Sequence, residues 1–233
     1  MQLDVSDLSS ANKFADEIKA THDRLHLLIN NAGVMAVPFS TTVDGYERQF
    51  ATNHLGYFAL TAKLFPLLKQ STPSRVVKVS SIAHKDATLA RFVSGAGIMH
   101  ADEKNYRALR VGLSSRSHGD QPHGRAGHGR QQNQQAHVAH WRDDSPAPRR
   151  PDGDAAHAVD SVDAATGADV ESDYYYGASR LWEIKGPPKR VQALAIAHDE
   201  AAAKNLWDES ERLTKVKFDA VHHVGRFNIS QSF

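Results

Sequence analysis

Leu25-His26-Leu27-Leu28-Ile29-Asn30-Asn31-Ala32-Gly33-Val34-Met35 is the stretch that decides the fold of this chain. An apolar run this short and this rich in Leu and Ile predicts a strand that is buried on both faces, as in a parallel sheet. Two asparagines, an alanine and a glycine follow the run, and such residues occur where a chain turns and lets a ligand approach its backbone. Because ligands bind at the carboxyl ends of parallel strands, the stretch predicts a binding loop.

An apolar face predicts a helix ahead of this strand. Its members recur at helical spacing and are Ala11, Phe14, Ala15 and Ile18. Ser9 or Ser10 can cap the start of this helix, because a hydroxyl oxygen accepts a hydrogen bond from the unpaired N–H groups there. Residues 1–5 are predicted to end an earlier strand.

A long helix and a second strand are predicted after the loop. The helix extends from a weak capping box at Thr41-Thr42-Val43-Asp44 to about residue 70, and Gly56 and Pro66 predict a bend within it. Residues 75–80 are rich in valine and predict a strand. A short right-handed crossover makes this strand the parallel neighbour of the first, so the fold class is α/β with a Rossmann-like, doubly wound parallel sheet.

The bulk composition excludes several classes of function. The chain of 233 residues has 28 basic and 27 acidic side chains, so its net charge of +1 indicates neither nucleic acid nor an anionic membrane as a partner. It contains 0 cysteines, which excludes thiolate catalysis and disulfides. No apolar run approaches the roughly 20 residues of a membrane span, and the start does not resemble a signal peptide. These features favour a cytoplasmic location and say nothing about oligomeric state.

Residues 114–173 differ in composition from the rest of the chain. They contain no Leu, Ile, Phe, Met or Lys, and their large apolar side chains are few. Such a segment buries too little apolar surface to offset its ordering entropy, so we expect it to be disordered and exposed. An out-of-frame origin is a hypothesis that accounts for this composition. The predicted organisation is therefore a partial dinucleotide-binding domain at 1–113, this segment, and a tail at 174–233 with a helix near 199–214.

Five of the six histidines in that segment raise the question of a metal site. They are His118, His123, His128, His137 and His140. They lie among glycines without periodicity, and a metal site needs ligands in a fixed geometry, so the sequence predicts no metal centre.

The loop after the first strand and two later motifs resemble a known family. Asn-Asn-Ala-Gly at 30–33 is similar to the signature of the short-chain dehydrogenases/reductases. Together with Thr-Asn-His-Leu-Gly at 52–56 and Val-Ser-Ser-Ile-Ala-His at 79–84, it resembles the branch of the retinol dehydrogenases and the WW domain-containing oxidoreductase. The resemblance covers residues 1–115 and 189–214. It implies an NAD- or NADP-dependent oxidoreductase whose small-molecule substrate is an alcohol or a carbonyl compound.

The resemblance assigns catalytic roles to two residues. Ser81 would donate a hydrogen bond to the substrate oxygen, and the backbone of Asn53 would hold a relay water. Each residue also has a purely structural interpretation. Serine is common where a strand ends in a turn, and an asparagine inside a helix is a poor helix former that needs some local reason to be there.

The resemblance assigns cofactor contacts to four further residues. Asp4 would meet the adenine ring, while the loop residues Asn30, Ala32 and Gly33 would pass beneath the adenosine ribose. The structural alternative for Asp4 is an ordinary solvated acid, because aspartate is mostly exposed in folded proteins.

Two departures from the family pattern predict that coenzyme binding and activity are both lost. The first strand and its glycine-rich turn, which set the pyrophosphate on a helix N-terminus, would lie ahead of Met1. At the positions expected for the catalytic Tyr and Lys stand Val111 and Ser115. Val111 has no proton to transfer, and Ser115 has no positive charge that could lower a phenol pKa.

Tyr176-Gly177-Ala178-Ser179-Arg180 offers a second register for the missing pair. It is less favoured, because it lies far along the chain from the predicted serine and because a guanidinium does not reproduce a lysine ammonium. The tyrosine cluster that precedes Gly177 is more typical of a loop or the edge of a core. Two functions therefore remain open: an active oxidoreductase, and an inactive form with at most a binding role.

Overall fold

The computed structural model describes residues 1–34, 37–81, 134–141, 164–171, 174–180, 185–192 and 198–218. In these residues one sheet has the strand order β1 (Leu27–Asn30), β2 (Ser74–Ser81), β3 (Gln134–Trp141), β4 (Tyr174–Arg180) and β5 (Lys185–Val191). The helices are α1 (Leu8–Thr21), α2 (Arg48–Phe50), α3 (Gly56–Gln70) and α4 (Glu200–Thr214), and a π-helical turn (Ala51–Leu55) joins α2 to α3.

Strands β1 and β2 are parallel neighbours, which confirms the sequence prediction. Leu27 lies opposite Arg75 and Asn30 lies opposite Lys78 in this pair. The connection between them contains α3, so this part of the chain is a strand, a crossover helix and a parallel strand. The fold is therefore α/β and Rossmann-like here, and the carboxyl ends of both strands lie at the same edge of the sheet.

A continuous apolar cluster joins α1 and α3 to one face of the sheet. Its buried members are Ala15, Tyr57, Leu60, Leu64 and Leu68, and Leu28 and Val76 pack against them from β1 and β2. Each fully buried leucine contributes about 1.5–3 kcal/mol relative to exposure. This packing holds α3, and the π-helical turn before it, in a defined position over the strands.

Gly56 allows α3 to approach the N-terminal segment at backbone distance. A Cβ atom at Gly56 would lie 1.8 Å from the carbonyl oxygen of Val5, so no other residue fits here without a shift of the backbone. A π-helical turn ends immediately before Gly56, and the bend predicted at this position stays a prediction. Pro66 lies inside α3, and α3 continues past it to Gln70.

The start of α1 differs from the sequence prediction. Asp7 is the N-cap, and its carboxylate accepts hydrogen bonds from the N–H groups of Ser9 and Ser10. The two serines are therefore inside the first turn. Asp7 caps their backbone N–H groups, and neither serine is the N-cap. Residues 1–4 form no regular structure and residues 5–6 form a turn, so the strand predicted for residues 1–5 is wrong.

The long helix also starts later than predicted. Thr41 and Glu47 form an isolated antiparallel bridge around a turn in which Gly45 has φ +83°, and α2 begins only at Arg48. The buried carboxylate of Glu47 accepts from the N–H groups of Gln49 and Phe50, so it is the cap. Burial raises the pKa of Glu47, and these backbone hydrogen bonds oppose that rise.

Two parts of the interval 114–173, which the sequence predicts to be disordered, lie within the described residues. Strand β3 pairs with β2 over its whole length, from Gln134 opposite Ser81 to Trp141 opposite Ser74. In residues 164–171, Ala164 and Ala165 are buried against the sheet. A strand pairs through backbone hydrogen bonds, which do not require large apolar side chains. The rest of the interval lies outside the described residues, and the domain boundaries at 113 and 173 stay predictions.

The sheet is mixed beyond its first two strands. Strands β3, β4 and β5 each run antiparallel to the preceding strand. The tyrosine cluster, which the sequence places in a loop or at a core edge, begins β4. The predicted C-terminal helix is present as α4, where the Asp199 carboxylate caps the start by accepting from the N–H of Ala202, and Lys215 follows its end in the left-handed conformation.

Replacing Gly56 with alanine tests the contact with Val5. Alanine is normally about 1 kcal/mol better than glycine inside a helix. Here the new methyl group would meet a backbone oxygen, so we expect Gly56→Ala to lower the free energy of unfolding by about 2 kcal/mol or more. Urea denaturation measures the change. The control Gln70→Ala, at the exposed end of α3, should stay within about 0.5 kcal/mol of wild type. Stabilisation by Gly56→Ala would contradict the close approach.

Candidate functional site

Asn53 holds the predicted binding loop at the carboxyl end of β1. Its Oδ1 accepts from the N–H of Val34 and its Nδ2 donates to the carbonyl oxygen of Val34, both at 2.8 Å. Because both hydrogen bonds go to the backbone of one residue, the side-chain amide holds the loop at two points. A Cβ at Gly33 would lie 3.0 Å from Asn53 Oδ1, so glycine permits this approach.

Tyr57 holds the same loop at a second position. Its hydroxyl donates to the carbonyl oxygen of Ala32 at 2.7 Å. Burial raises the pKa of Tyr57 to about 12, so the hydroxyl stays protonated and remains a donor at any physiological pH. The sequence analysis missed this residue. Its position four residues after Asn53, about one helical turn further on, was the available signal.

Asn30 differs in burial from Ala32 and Gly33, the two loop residues with which it is predicted to contact the ribose. Its side chain is only 4% exposed, whereas Ala32 and Gly33 are exposed. Asn30 Nδ2 donates to Thr61 Oγ1 at 3.0 Å, which ties the end of β1 to α3. Its Oδ1 has no hydrogen-bond partner among the described residues, so an acceptor stays open beneath the loop.

Asp4 lies exposed on the segment that packs against Gly56 through Val5. Its Oδ1 accepts from the N–H of Ser6 at 2.8 Å and from the Ser6 hydroxyl at 2.7 Å. The side-chain hydrogen bond from Ser6, followed by the backbone one, lowers the pKa of Asp4. The residue is therefore an ionised acceptor at neutral pH.

Ser81 is the last residue of β2, paired with Gln134 of β3. Because β1 and β2 are parallel, Ser81 lies at the same sheet edge as the loop that leaves β1. The side chain of Ser81 lies outside the description, as do Val111 and Ser115. The backbone thus brings the predicted serine to the edge of the sheet where the loop begins.

The second register for a catalytic tyrosine receives no support from the structure. The hydroxyl of Tyr176 accepts from the N–H of Glu171 at 2.9 Å, and its ring packs against the cluster around Val77. The neighbouring Tyr175 is the one whose hydroxyl forms a hydrogen bond with a serine of β2, Ser80. Tyr175 is only 2% exposed, and burial raises its pKa to about 12, which suits a structural hydroxyl.

A polar chain connects the strand end to the C-terminal helix. Lys78 Nζ lies 3.4 Å from His54 Nδ1, and His54 Nε2 lies 2.7 Å from Ser210 Oγ. Ser210 Oγ donates to the carbonyl of Leu206 at 2.6 Å, so His54 Nε2 must be the donor to Ser210, and Nδ1 accepts from Lys78. Burial, and then the charge of Lys78, lowers the pKa of His54 well below its ordinary value. Burial lowers the pKa of Lys78 to about 8.

Comparison with known proteins shows which family the first part of the chain resembles. Residues 1–96 match the short chain dehydrogenase family. Retinol dehydrogenase 12 of Mus musculus is 54% identical over 83 residues, which are 36% of this chain and 26% of that protein. Human retinol dehydrogenase 11 is 53% identical over 83 residues, again 36% of this chain and 26% of that protein. Human retinol dehydrogenase 13 is 51% identical over 82 residues, which are 35% of this chain and 25% of that protein.

A solved structure is similar over most of the chain. It is the crystal structure of an uncharacterized protein from Mycobacterium Paratuberculosis, 29% identical, with a TM-score of 0.59, and the match covers 94% of this chain and 76% of that chain. By contrast, the chain spans about a quarter of the length of the retinol dehydrogenases it matches. Among the described residues, no helix is long and apolar enough to cross a bilayer.

The parallel strand pair and the loop after β1 form a Rossmann-type strand, helix and strand unit, and this unit lies within the matched residues. Residues 1–96 belong to the short-chain dehydrogenase family. Within that family they fall in the retinol dehydrogenase-like branch, as the sequence predicts. The resemblance predicted for 97–115 and 189–214 lies beyond the family match and stays a prediction.

Replacing Asn53 with alanine tests the hold on the loop. The variant removes both hydrogen bonds to Val34, each worth about 0.5–1.5 kcal/mol. We therefore expect the backbone amide of Val34 to exchange with solvent roughly ten times faster or more. Hydrogen exchange followed by NMR measures this. Asn205→Ala, at an exposed asparagine of α4, is the matched control and should leave the exchange of Val34 unchanged; equal exchange in all three proteins would contradict the two-point hold.

The lowered pKa of Lys78 predicts a pH dependence of stability. The pKa is about 8 in the folded protein and 10.5 ordinarily, so between these values the unfolded chain binds a proton that the folded protein lacks. The free energy of unfolding therefore rises with pH across this window, by on the order of 1–3 kcal/mol. We expect Lys78→Met to remove the rise between pH 8 and pH 9.5, measured by denaturant unfolding. Lys13→Met, at an exposed lysine, should keep it; an unchanged slope in Lys78→Met would refute the assignment.

Proposed function

We propose that this chain carries part of the site of an NAD(P)-dependent oxidoreductase that acts on an alcohol or carbonyl compound. The names of the curated relatives favour a lipophilic substrate of retinol-like character. The observation that carries the proposal is the two-point hold of Val34 by Asn53. It keeps a loop of small, exposed residues at the carboxyl end of β1, which is where α/β proteins bind dinucleotides.

The residues at this edge fit the adenosine half of a dinucleotide. Ala32 and Gly33 are exposed and have small side chains, so a flat or ribose-like group can reach the backbone. Asp4 supplies an ionised acceptor on the neighbouring segment. Asn30 acts from beneath by tying the strand end to Thr61. When bound, the dinucleotide would carry the hydride chemistry, and the protein would supply binding and orientation.

Ser81 and Asn53 are the proposed catalytic residues in this chain. The Ser81 hydroxyl would donate a hydrogen bond to the substrate oxygen and so stabilise the charge that develops there. The backbone of Asn53 would hold the relay water, while its side chain holds Val34. Both residues lie close to the carboxyl ends of the parallel pair, one on β2 and one on the π-helical turn.

A second candidate function is a coenzyme-binding form without turnover. Val111 and Ser115 stand where the family resemblance expects the proton donor and its lysine. Tyr176, the other tyrosine considered, has its hydroxyl engaged with the N–H of Glu171. Loss of a general acid costs about 10²–10⁴ in rate, so coenzyme binding and turnover can separate in this chain.

Titration calorimetry with NADH and NADPH tests the proposal. We expect wild type to bind at least one of them and Asn53→Ala to bind about tenfold more weakly, a loss of ~1.4 kcal/mol. The exposed-site variant Asn205→Ala is the control and should bind like wild type. No binding of either coenzyme by the wild-type chain would overturn the proposal.

Reductase assays on retinal and simple ketones separate the two candidates. Turnover that Ser81→Ala reduces by about 10²-fold or more would support the oxidoreductase, because the serine would then stabilise the transition state. Coenzyme binding with no turnover would support the second candidate. Turnover that Tyr176→Phe abolishes would show that the distant tyrosine is the proton donor after all, against the contact seen with Glu171.

A further inference from the structure

One helical turn contacts each segment that faces the proposed coenzyme. Asn53, at the start of this turn, holds Val34. Gly56 packs on Val5, which follows Asp4, and Tyr57 donates to Ala32. Because the loop and the Asp4 segment both contact residues 53–57, these residues set their relative placement.

We propose that Tyr57 is a positioning residue for the adenosine half of the dinucleotide, acting through its hydrogen bond to the carbonyl of Ala32. The inference rests on the proposed function, because it assumes that the exposed loop is the coenzyme surface. Tyr57 itself is 7% exposed and does not reach that surface, so it acts only through the backbone that it holds.

The geometry of the trans peptide bond explains how the hydrogen bond from Tyr57 to Ala32 orients the next N–H group of the loop. The peptide between Ala32 and Gly33 is planar and trans, so its C=O and its N–H point in opposite directions. The Ala32 carbonyl accepts from the Tyr57 hydroxyl at 2.7 Å, so the N–H of Gly33 points away from Tyr57. The N–H of Val34 is bonded to Asn53, so Gly33 offers the outward donor of this pair. A ribose hydroxyl oxygen is an acceptor of the right kind for it.

The ring and the hydroxyl of Tyr57 have separate tasks. The ring belongs to the apolar cluster with Ala15, Leu60 and Leu64, whereas the hydroxyl contacts the loop. Tyr57→Phe keeps the ring and removes only the hydrogen bond. Tyr46 supplies a matched control, because its hydroxyl donates to a different backbone carbonyl, that of Leu213, at 2.8 Å. Both variants lose one hydroxyl-to-carbonyl bond, and only one of those bonds is on the loop.

The test is calorimetric titration of the full chain with ADP-ribose and with NADH. ADP-ribose contains the adenosine half and lacks nicotinamide, so its binding is independent of turnover. We expect Tyr57→Phe to weaken the binding of both ligands about tenfold and Tyr46→Phe to leave it within about twofold of wild type. Equal affinity in wild type and Tyr57→Phe, or equal weakening in the two variants, would overturn this inference alone. Absence of any binding by wild type would overturn the proposed function and this inference together.

Amide exchange in the wild-type protein provides a second measurement that needs no variant. Saturating ADP-ribose should slow the exchange of the Gly33 amide about tenfold or more, because that N–H then donates to the ligand. The Val34 amide, already bonded to Asn53, should change far less. Binding that leaves the exchange of Gly33 unchanged would show that the outward N–H is not used, and the role of Tyr57 would fail.

Discussion

The contact between Gly56 and the backbone of Val5 is the constraint on which the site depends. A helix can approach another backbone this closely only where a residue lacks a Cβ. The approach brings the start of α3 against the N-terminal segment, and the residues on either side of Gly56 then reach the loop after β1. Asn53 and Tyr57 make three hydrogen bonds to that loop, all to backbone atoms. The loop therefore owes its shape to the turn, and its own small side chains remain exposed.

The C-terminal helix is part of the same arrangement. His54 lies between Lys78 of β2 and Ser210 of α4, and its ring stacks on Phe50 at a centroid distance of 5.2 Å. A neutral histidine with an assigned tautomer satisfies both neighbours at once, which an ionised one would not do beside an ammonium group. Helix α4 thus contacts the π-helical turn through Ser210 and His54. A separate contact with α4 is the hydrogen bond that the Tyr46 hydroxyl donates to the carbonyl of Leu213.

The opposite face of the sheet shows what holds one part of the middle of the chain, where apolar side chains are few. Arg75 donates from one guanidinium nitrogen to the carbonyls of Ala164, Ala165 and Gly167, at 2.9–3.2 Å. These alanines are buried against Val77, so small residues and a cation replace the large apolar side chains that such a contact usually contains. Backbone carbonyls that converge on an arginine can order a segment whose apolar content is low. Amino-acid composition gives the side chains of a segment. It does not show which hydrogen bonds the backbone carbonyls of that segment accept from distant residues.

The sequence alone determined β1, β2, the crossover between them and the similarity of residues 1–96 to the short chain dehydrogenase family. The apolar run before Asn30, the valines of β2 and the glycine-containing loop are short-range signals, and the parallel pairing follows from the length and hand of the crossover. Only the tertiary structure decided which side chains hold the loop, because Tyr57, like any helix residue with an apolar ring, is indistinguishable from core until its hydroxyl has a partner. Pairing of β3 with β2, and burial of Asn30 while Ala32 stays exposed, likewise depend on contacts between segments distant in sequence. Those contacts depend on how distant segments pack against each other, and the sequence of one segment does not determine that packing.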